Sequence, residues 1–166
     1  MVAEDVVELI RFLQEHRLEV CVDGGWAVDA LLGHQTRAHQ DLDIAIPHKQ
    51  VPKLRELLAA KGYYERSRDD TWECNFVLAD GYGRELDVHS YELNDAGDNV
   101  YGVNYRREHL CGEGTINGYA VGCISPKWLI KFHSGYELDE NDYLDVRALC
   151  ERFGFALPDE YRKFVE

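Results

Sequence analysis

Three aspartates and a glycine pair are the residues of this sequence best placed to do chemistry. Asp41 and Asp43 alternate with Leu42, Ile44 and Ile46 in the stretch D-L-D-I-A-I. The carboxylates therefore share one face of a strand and the aliphatic side chains the other. Asp87 stands in the same way in E-L-D-V-H, sharing a face with His89 while Leu86 and Val88 take the opposite one. Gly24-Gly25 separates a short apolar run from the helix-like W-A-V-D-A-L-L. Three carboxylates gathered on one sheet face repel one another and raise their own pKa values unless a cation lies between them. Magnesium suits such hard oxygen donors, and two ions roughly 3.5 to 4 Å apart clamp the attacking and leaving oxygens of an in-line phosphoryl displacement. A Gly-Gly helix start supplies close backbone approach and free N–H groups for a triphosphate. Each part alone is equally a plain turn, a solvated strand face or an exposed acid. Together, in this order, they point to metal-dependent transfer from a nucleotide.

The same pieces resemble the nucleotidyltransferase superfamily of DNA polymerase beta, whose signature is a Gly-Gly or Gly-Ser helix start, a strand D-x-D and a third carboxylate on a later strand. Here they read V-D-G-G-W-A-V-D-A-L-L-G, Q-T-R-A-H-Q-D-L-D-I and E-L-D-V-H. Within it, D-G-G-W and T-R-x-H-x-D-x-D resemble the small antibiotic-resistance branch, which includes short lincosamide nucleotidyltransferases and aminoglycoside 2''-adenylyltransferases. The segments from Cys123-Ile124-Ser125 through Phe132-His133-Ser134-Gly135-Tyr136 to Asp142-Tyr143-Leu144-Asp145 are most similar to the short lincosamide enzymes, as are L-D-V-H and the overall length.

The resemblance implies an α+β, polymerase beta-like nucleotidyltransferase fold with an NTP co-substrate and magnesium, in which Asp41 and Asp43 hold the metals. Asp87 would help bind one metal and take the acceptor's hydroxyl proton, and a positioned carboxylate is independently suited to act as a general base. The implied reaction moves a nucleoside monophosphate to a hydroxyl of a lincosamide antibiotic, inactivating it and releasing pyrophosphate. The alternatives are the same reaction on an aminoglycoside, or a catalytically silent small-molecule-binding module. The resemblance also suggests a homodimer, with a neighbouring subunit closing the cleft.

Around these residues the sequence offers supporting groups. Arg37 and His39 precede the D-x-D strand and are candidates to neutralise the triphosphate, arginine being suited to bidentate phosphate contacts. Lys131 ends a helix expected to face the nucleotide. His89, Glu92 and Tyr136 are candidates for the acceptor, Glu92 as part of an acidic stretch with Asp95 and Asp98. Trp128 and Phe132 read as core, and Asp142 and Asp145 as one solvated helical face.

The elements that must position these residues are legible as punctuation and periodicity. Val6, Val7, Leu9, Ile10 and Leu13 predict an opening amphipathic helix. Glu19 to Val22 predicts a short strand, broken by Asp23-Gly24-Gly25, and Trp26 to Leu32 a buried helix stopped by Gly33. After the D-x-D strand, ended by Pro47, come a helix from about Gln50 to Lys61, strands near Tyr63 to Arg66 and Thr71 to Leu78, and a strand from Arg84 to Tyr91. Residues 92–110 read as a long loop with little regular structure. Asn117-Gly118 predicts a hairpin. Ser125-Pro126 opens a helix, Asp139 or Asn141 another, and Pro158 a short terminal one. The order argues one α+β domain over 1–166 with a mixed sheet flanked by helices: catalytic sheet and helices over 1–124, and a short helical part over 125–166 too small to hold a core alone.

Composition narrows the function classes. Eighteen basic and thirty-one acidic side chains give a formal charge of −13 over 166 residues. Such a charge repels the phosphate backbone that dominates nucleic-acid affinity, so a polymeric nucleic-acid substrate is disfavoured. No apolar stretch approaches the roughly 18 residues of a membrane span and the start is acidic, so a cytoplasmic protein is expected. Five cysteines without a C-x-x-C pair read as reduced thiols. The chain has no G-x-S-x-G elbow and no G-x-x-x-x-G-K loop.

Overall fold

The computed structural model describes residues 1–165. Helix α1 (Ala3–Glu15) lays Val6, Leu9, Ile10 and Leu13 into the core. Strand β1 (Cys21–Asp23) runs directly into helix α2 (Gly24–Leu32), which Gly33 ends in the left-handed conformation. Strand β2 (Asp41–Pro47) is followed by helix α3 (Val51–Ala60), strands β3 (Tyr64–Arg66) and β4 (Asn75–Ala79), and the long strand β5 (Glu85–Leu93). Strand β6 (Asn99–Gly102) then pairs back on β5, and β7 (Gly112–Ile116) and β8 (Tyr119–Cys123) form a hairpin. Helices α4 (Pro126–Phe132) and α5 (Glu140–Phe153) and a 3₁₀ turn over Asp159–Phe164 complete the chain.

The strands make one mixed sheet in the order β3-β4-β5-β2-β1-β8-β7, with β6 against β5. β2–β5 and β1–β8 are parallel and the other pairs antiparallel. This is the expected α+β class with helices flanking a mixed sheet. One continuous core joins Leu42, Ile44 and Ile46 of β2 to Leu86 and Val88 of β5, and reaches Leu129, Val146, Leu149 and Tyr161 of the C-terminal part. The Tyr161 hydroxyl donates to the His133 carbonyl, closing the terminal turn onto the end of α4.

Three local readings are corrected. Residues 92–110 are not an unstructured loop: β5 continues to Leu93 and turns back into β6, and a 3₁₀ turn spans Arg107–His109. The turn is closed by Asn94, whose side chain accepts from the Asp98 N–H at 2.9 Å and whose own N–H donates to the Asp98 carbonyl at 2.9 Å. Its polar residues were a hairpin signal spread over more positions than the compact Asn-Gly type. The fourth strand starts at Asn75 instead of Thr71, because the Thr71 hydroxyl accepts from the Arg68 N–H at 2.8 Å and holds the approach in a turn. Asp23 is not part of a break but the last residue of β1 and the cap of α2, its carboxylate accepting from the Gly24 N–H at 2.8 Å. All five cysteines are free and only Cys111 is exposed. No described helix is long and apolar enough to cross a membrane.

Candidate active site

Sheet register builds the site. Asp23 of β1 lies opposite Asp43 of β2, and Asp43 lies opposite Asp87 of β5, so three aspartates stand in one row across adjacent strands. His89, two residues beyond Asp87, joins the same face. Ligand atoms of Asp43, Asp87 and His89 all lie within 4.8 Å of one another. Asp41 sits two residues before Asp43, opposite Glu85 and outside that closest group, yet near enough for its charge to act on Asp43.

Helix α2 begins against this row. Gly24 has a φ of +61°, and a Cβ there would lie 2.3 Å from Asp43 Oδ2. Conformation and space thus both demand glycine. A Cβ on Gly25 would lie 2.5 Å from His39 Nδ1 and 2.9 Å from Arg37 Nη2. The first turn of α2 therefore packs the row of acids on one side and the two basic residues on the other.

The carboxylates are held in different states. Burial, with the charge of Asp41 added, pushes the Asp43 carboxyl up to about 8. Burial would raise Asp87 as well, but the His89 imidazole and the Arg68 guanidinium outweigh it and hold Asp87 below the usual carboxylate range. Burial would lower His89, yet Asp87 and then Asp43 reverse this and raise it. Arg68 Nη1 donates to Asp87 Oδ2 at 2.9 Å. Asp87 Oδ1 is buried and accepts no hydrogen bond, with His89 Nε2 standing 3.3 Å away but misaligned. A buried ionised oxygen with no aligned hydrogen bond, beside a second carboxylate that burial cannot keep ionised, is a donor set that a hard divalent cation completes. The residues present therefore fit magnesium.

Residues invisible as a group in the sequence surround this centre. The Tyr105 hydroxyl donates to Asp23 Oδ2 at 2.5 Å and lies 3.4 Å from His89 Nδ1, linking β1 to β5 across the row. Beside it opens a hollow of about 560 Å³ whose walls include Asp23, Trp72, His89, Tyr105, Lys131 and Phe132. Lys131 borders it with its ammonium 4.4 Å over the Trp128 ring. Phe132, expected to be core, is half-buried and forms part of the wall.

Several candidates are placed elsewhere. Glu92 is an odd number of residues from Asp87 and so points to the other face of β5. It lines a separate hollow of about 750 Å³ with Glu19, His48 and Arg107. Tyr136 is exposed, donates to Asp142 Oδ1 at 2.8 Å and is absent from the wall of the hollow beside Asp87. His39 is buried, its ring 4.7 Å from that of Trp26 and its Nε2 2.5 Å from Asp29 Oδ2. It forms a floor under Gly25. Asp145 is not solvated as expected: it is buried and pairs with Arg37 at 2.8 Å, because α5 packs against α2. Asp142 does stay at the surface, where it and Asp139 cap the start of α5 reciprocally.

Comparison with known proteins identifies the family. Residues 5–149 match the family described as aminoglycoside-2''-adenylyltransferase. A lincosamide resistance protein of Staphylococcus haemolyticus is 33% identical over 159 residues, covering 89% of this chain and 94% of its own. A 2''-aminoglycoside nucleotidyltransferase of Klebsiella pneumoniae is 33% identical over a shorter stretch of 55 residues, 33% of this chain and 31% of its own. Among solved structures, the lincosamide antibiotic adenylyltransferase LnuA, lincomycin-bound, superposes with a TM-score of 0.77 at 26% identity, covering 90% of this chain and 96% of that one. The structure of ANT(2'')-Ia in complex with adenylyl-2''-tobramycin shares the fold at a TM-score of 0.73 and 20% identity, covering 99% of this chain and 98% of that one. The chain belongs to the aminoglycoside-2''-adenylyltransferase family and is an antibiotic nucleotidyltransferase.

Proposed function

We propose that this protein transfers a nucleoside monophosphate from an NTP to a hydroxyl of a lincosamide, with Asp41, Asp43 and Asp87 as the residues that hold magnesium. The observation that carries this is the row Asp23, Asp43 and Asp87 set between the first turn of α2 and an aromatic-walled hollow. Free N–H groups of that turn and the Arg37 guanidinium receive the triphosphate. Bound magnesium supplies neutralisation of triphosphate charge. The acceptor, seated in the hollow, is oriented by Trp72, Tyr105 and Phe132. Its hydroxyl oxygen bonds to the α-phosphorus as the bond to the pyrophosphate oxygen breaks, and its proton passes to the ionised Asp87. Arg68, donating to Oδ2 at 2.9 Å, orients that carboxylate, and His89 stands beside it as a charge partner at 3.3 Å. Lys131, a nucleotide candidate in the sequence, stands instead in the wall of the acceptor hollow.

The hollow supports a lincosamide over an aminoglycoside. Its wall sets the apolar faces of Trp72, Val103, Tyr105 and Phe132 beside one acid, Asp23, and one lysine, Lys131. The aromatic faces suit a sugar carrying an apolar substituent. The sequence relative that spans nearly the whole chain is also a lincosamide resistance protein. Incubation with NTP, magnesium and a panel of lincomycin, clindamycin and aminoglycosides is expected to add one nucleoside monophosphate to the lincosamides, read by mass spectrometry. Modification of aminoglycosides alone would transfer the assignment to them. An unmodified panel with NTP still bound would favour the silent binding module.

The reading extends to assembly and location: a cytoplasmic homodimer in which the neighbouring subunit closes the open side of the hollow. Light scattering at assay concentration is expected to give twice the 19.1 kDa chain mass. A fully active monomer would end that part of the proposal.

A further inference from the structure

Outside the row of acids the molecule buries a second pair of carboxylates, Asp29 of α2 and Asp145 of α5. Each serves one basic residue of the segment Arg37-Ala38-His39, and both basic residues press on Gly25. Asp29 accepts from the Thr36 N–H and hydroxyl at 3.0 and 2.6 Å and pairs with His39, so it fixes the segment from beneath. Asp145 acts on the outer residue. Arg37 Nη2 donates to Asp145 Oδ2 at 2.8 Å and Nε to Oδ1 at 3.4 Å, a two-point grip on one edge of the guanidinium. Among the described residues, Arg37 is the hydrogen-bond partner of the Asp145 side chain. The acid is 3% exposed and the arginine 32%, so the grip is made on the buried side, while Nη1 reaches the Ala38 carbonyl at 3.4 Å and the guanidinium stays partly open to solvent.

An arginine free to sample its rotamers loses side-chain entropy when it is fixed on a ligand. A buried carboxylate that already fixes it removes much of that loss. We propose that Asp145 is a positioning residue for the nucleotide, holding Arg37 over Gly25 so that helix α5 sets triphosphate affinity. This rests on the reading that the triphosphate lies at the start of α2. It also assigns a task in the nucleotide half of the site to the C-terminal helical part.

The test is a double-mutant cycle read by equilibrium binding of a non-hydrolysable ATP analogue with magnesium, and by steady-state kinetics with lincomycin. Asp145→Asn is expected to weaken analogue binding and raise the NTP KM by roughly 5- to 20-fold, with the change in kcat much smaller. In an Arg37→Ala background, Asp145→Asn is expected to add almost nothing, because its effect passes through the guanidinium. A purely structural role would instead weaken both backgrounds alike. Thermal melting shows whether each variant folds. If Asp145→Asn does not, the paired replacement Arg37→Met with Asp145→Leu leaves no unpaired buried charge, and is expected to bind as weakly as Arg37→Ala. The proposal is overturned if Asp145→Asn binds the analogue like the parent, if the losses add in the cycle, or if the paired replacement binds normally. A parent protein that binds no analogue would remove the reading beneath it as well.

Discussion

Asp87→Asn is expected to fold, to keep most of its affinity for NTP with magnesium, and to lose turnover by about 10² to 10⁴, the usual cost of removing a positioned general base, or roughly 3 to 5 kcal/mol of barrier. Position is the first reason. Asp43 faces the first turn of α2, where the triphosphate is proposed to lie, whereas Asp87 comes from β5 and its neighbour His89 lines the acceptor hollow. State is the second. The Arg68 and His89 charges keep Asp87 ionised at neutral pH, ready to accept a proton. The amide keeps the shape and still offers an oxygen to Arg68, whose hydrogen bond to Oδ2 is 2.9 Å in the parent. Loss of the fold should therefore not account for the loss of rate. Single-turnover rates and nucleotide titrations separate the two effects. Turnover within about threefold of the parent would be incompatible with a general-base role of this size.

Without divalent cations, stability is expected to fall as the pH rises from about 4 to about 8, and magnesium is expected to restore it. Asp43 has an ordinary value of 3.8 and a folded-state value of about 8. Between the two, the folded protein keeps a proton that the unfolded chain has released. Unfolding free energy therefore declines with pH across that window and levels off above it. His89 adds to the decline: its folded-state value is raised, so its contribution is complete below the ordinary histidine range and is lost as the pH passes through the raised value. Asp87 works in the other direction and lower down. Its depressed carboxyl contributes stability that is present above the ordinary carboxylate range and disappears on further acidification. Asp43→Asn is expected to flatten the slope, to melt higher than the parent in EDTA at pH 8, and to lose metal-dependent NTP binding. Melting curves from pH 5 to 9 in EDTA and in magnesium decide it. A melting temperature that rises with pH in EDTA, or an Asp43→Asn variant that still needs magnesium to hold NTP, would contradict the assignment of this carboxylate.

Much of the fold was legible because the chain punctuates it clearly. Period-two alternation in β2 and β5 placed the acids and the core side chains on opposite faces, and Gly33, Asn117-Gly118 and Ser125-Pro126 marked their element ends. What escaped has a common cause, since its meaning depends on tertiary pairing. Asp23 ends a strand of three residues, too short to show a period, and only the antiparallel pairing with β2 sets it opposite Asp43. Arg68 lies in the charged run R-S-R-D-D, which reads as a solvated loop until β3 and β4 pair and bring it over β5. Tyr105 was one tyrosine among several in a stretch taken as loop, and its link to Asp23 spans 82 positions. Asp145 is indistinguishable from Asp142 by spacing, and only the packing of α5 on α2 buries one and leaves the other in water.

The aligned register of β2 and β5 also dictates how the chain must fold. These neighbours are parallel, so Asp43 meets Asp87 only after 44 positions of intervening chain, including α3, β3 and β4, have looped back to the same edge. Closing such a loop costs entropy before any contact repays it, whereas the β4–β5 and β7–β8 hairpins join chain neighbours. The hairpins are thus expected to form before the ladder that completes the site. That ladder must also bring two acids side by side, and Asp43 answers burial and repulsion by keeping its proton or taking a cation. A slip of one residue would relieve the repulsion, but it would turn Leu42, Ile44 and Ile46 out to water and Asp41 and Asp43 into the core. The apolar face of β2 thereby enforces the pairing that the acids oppose.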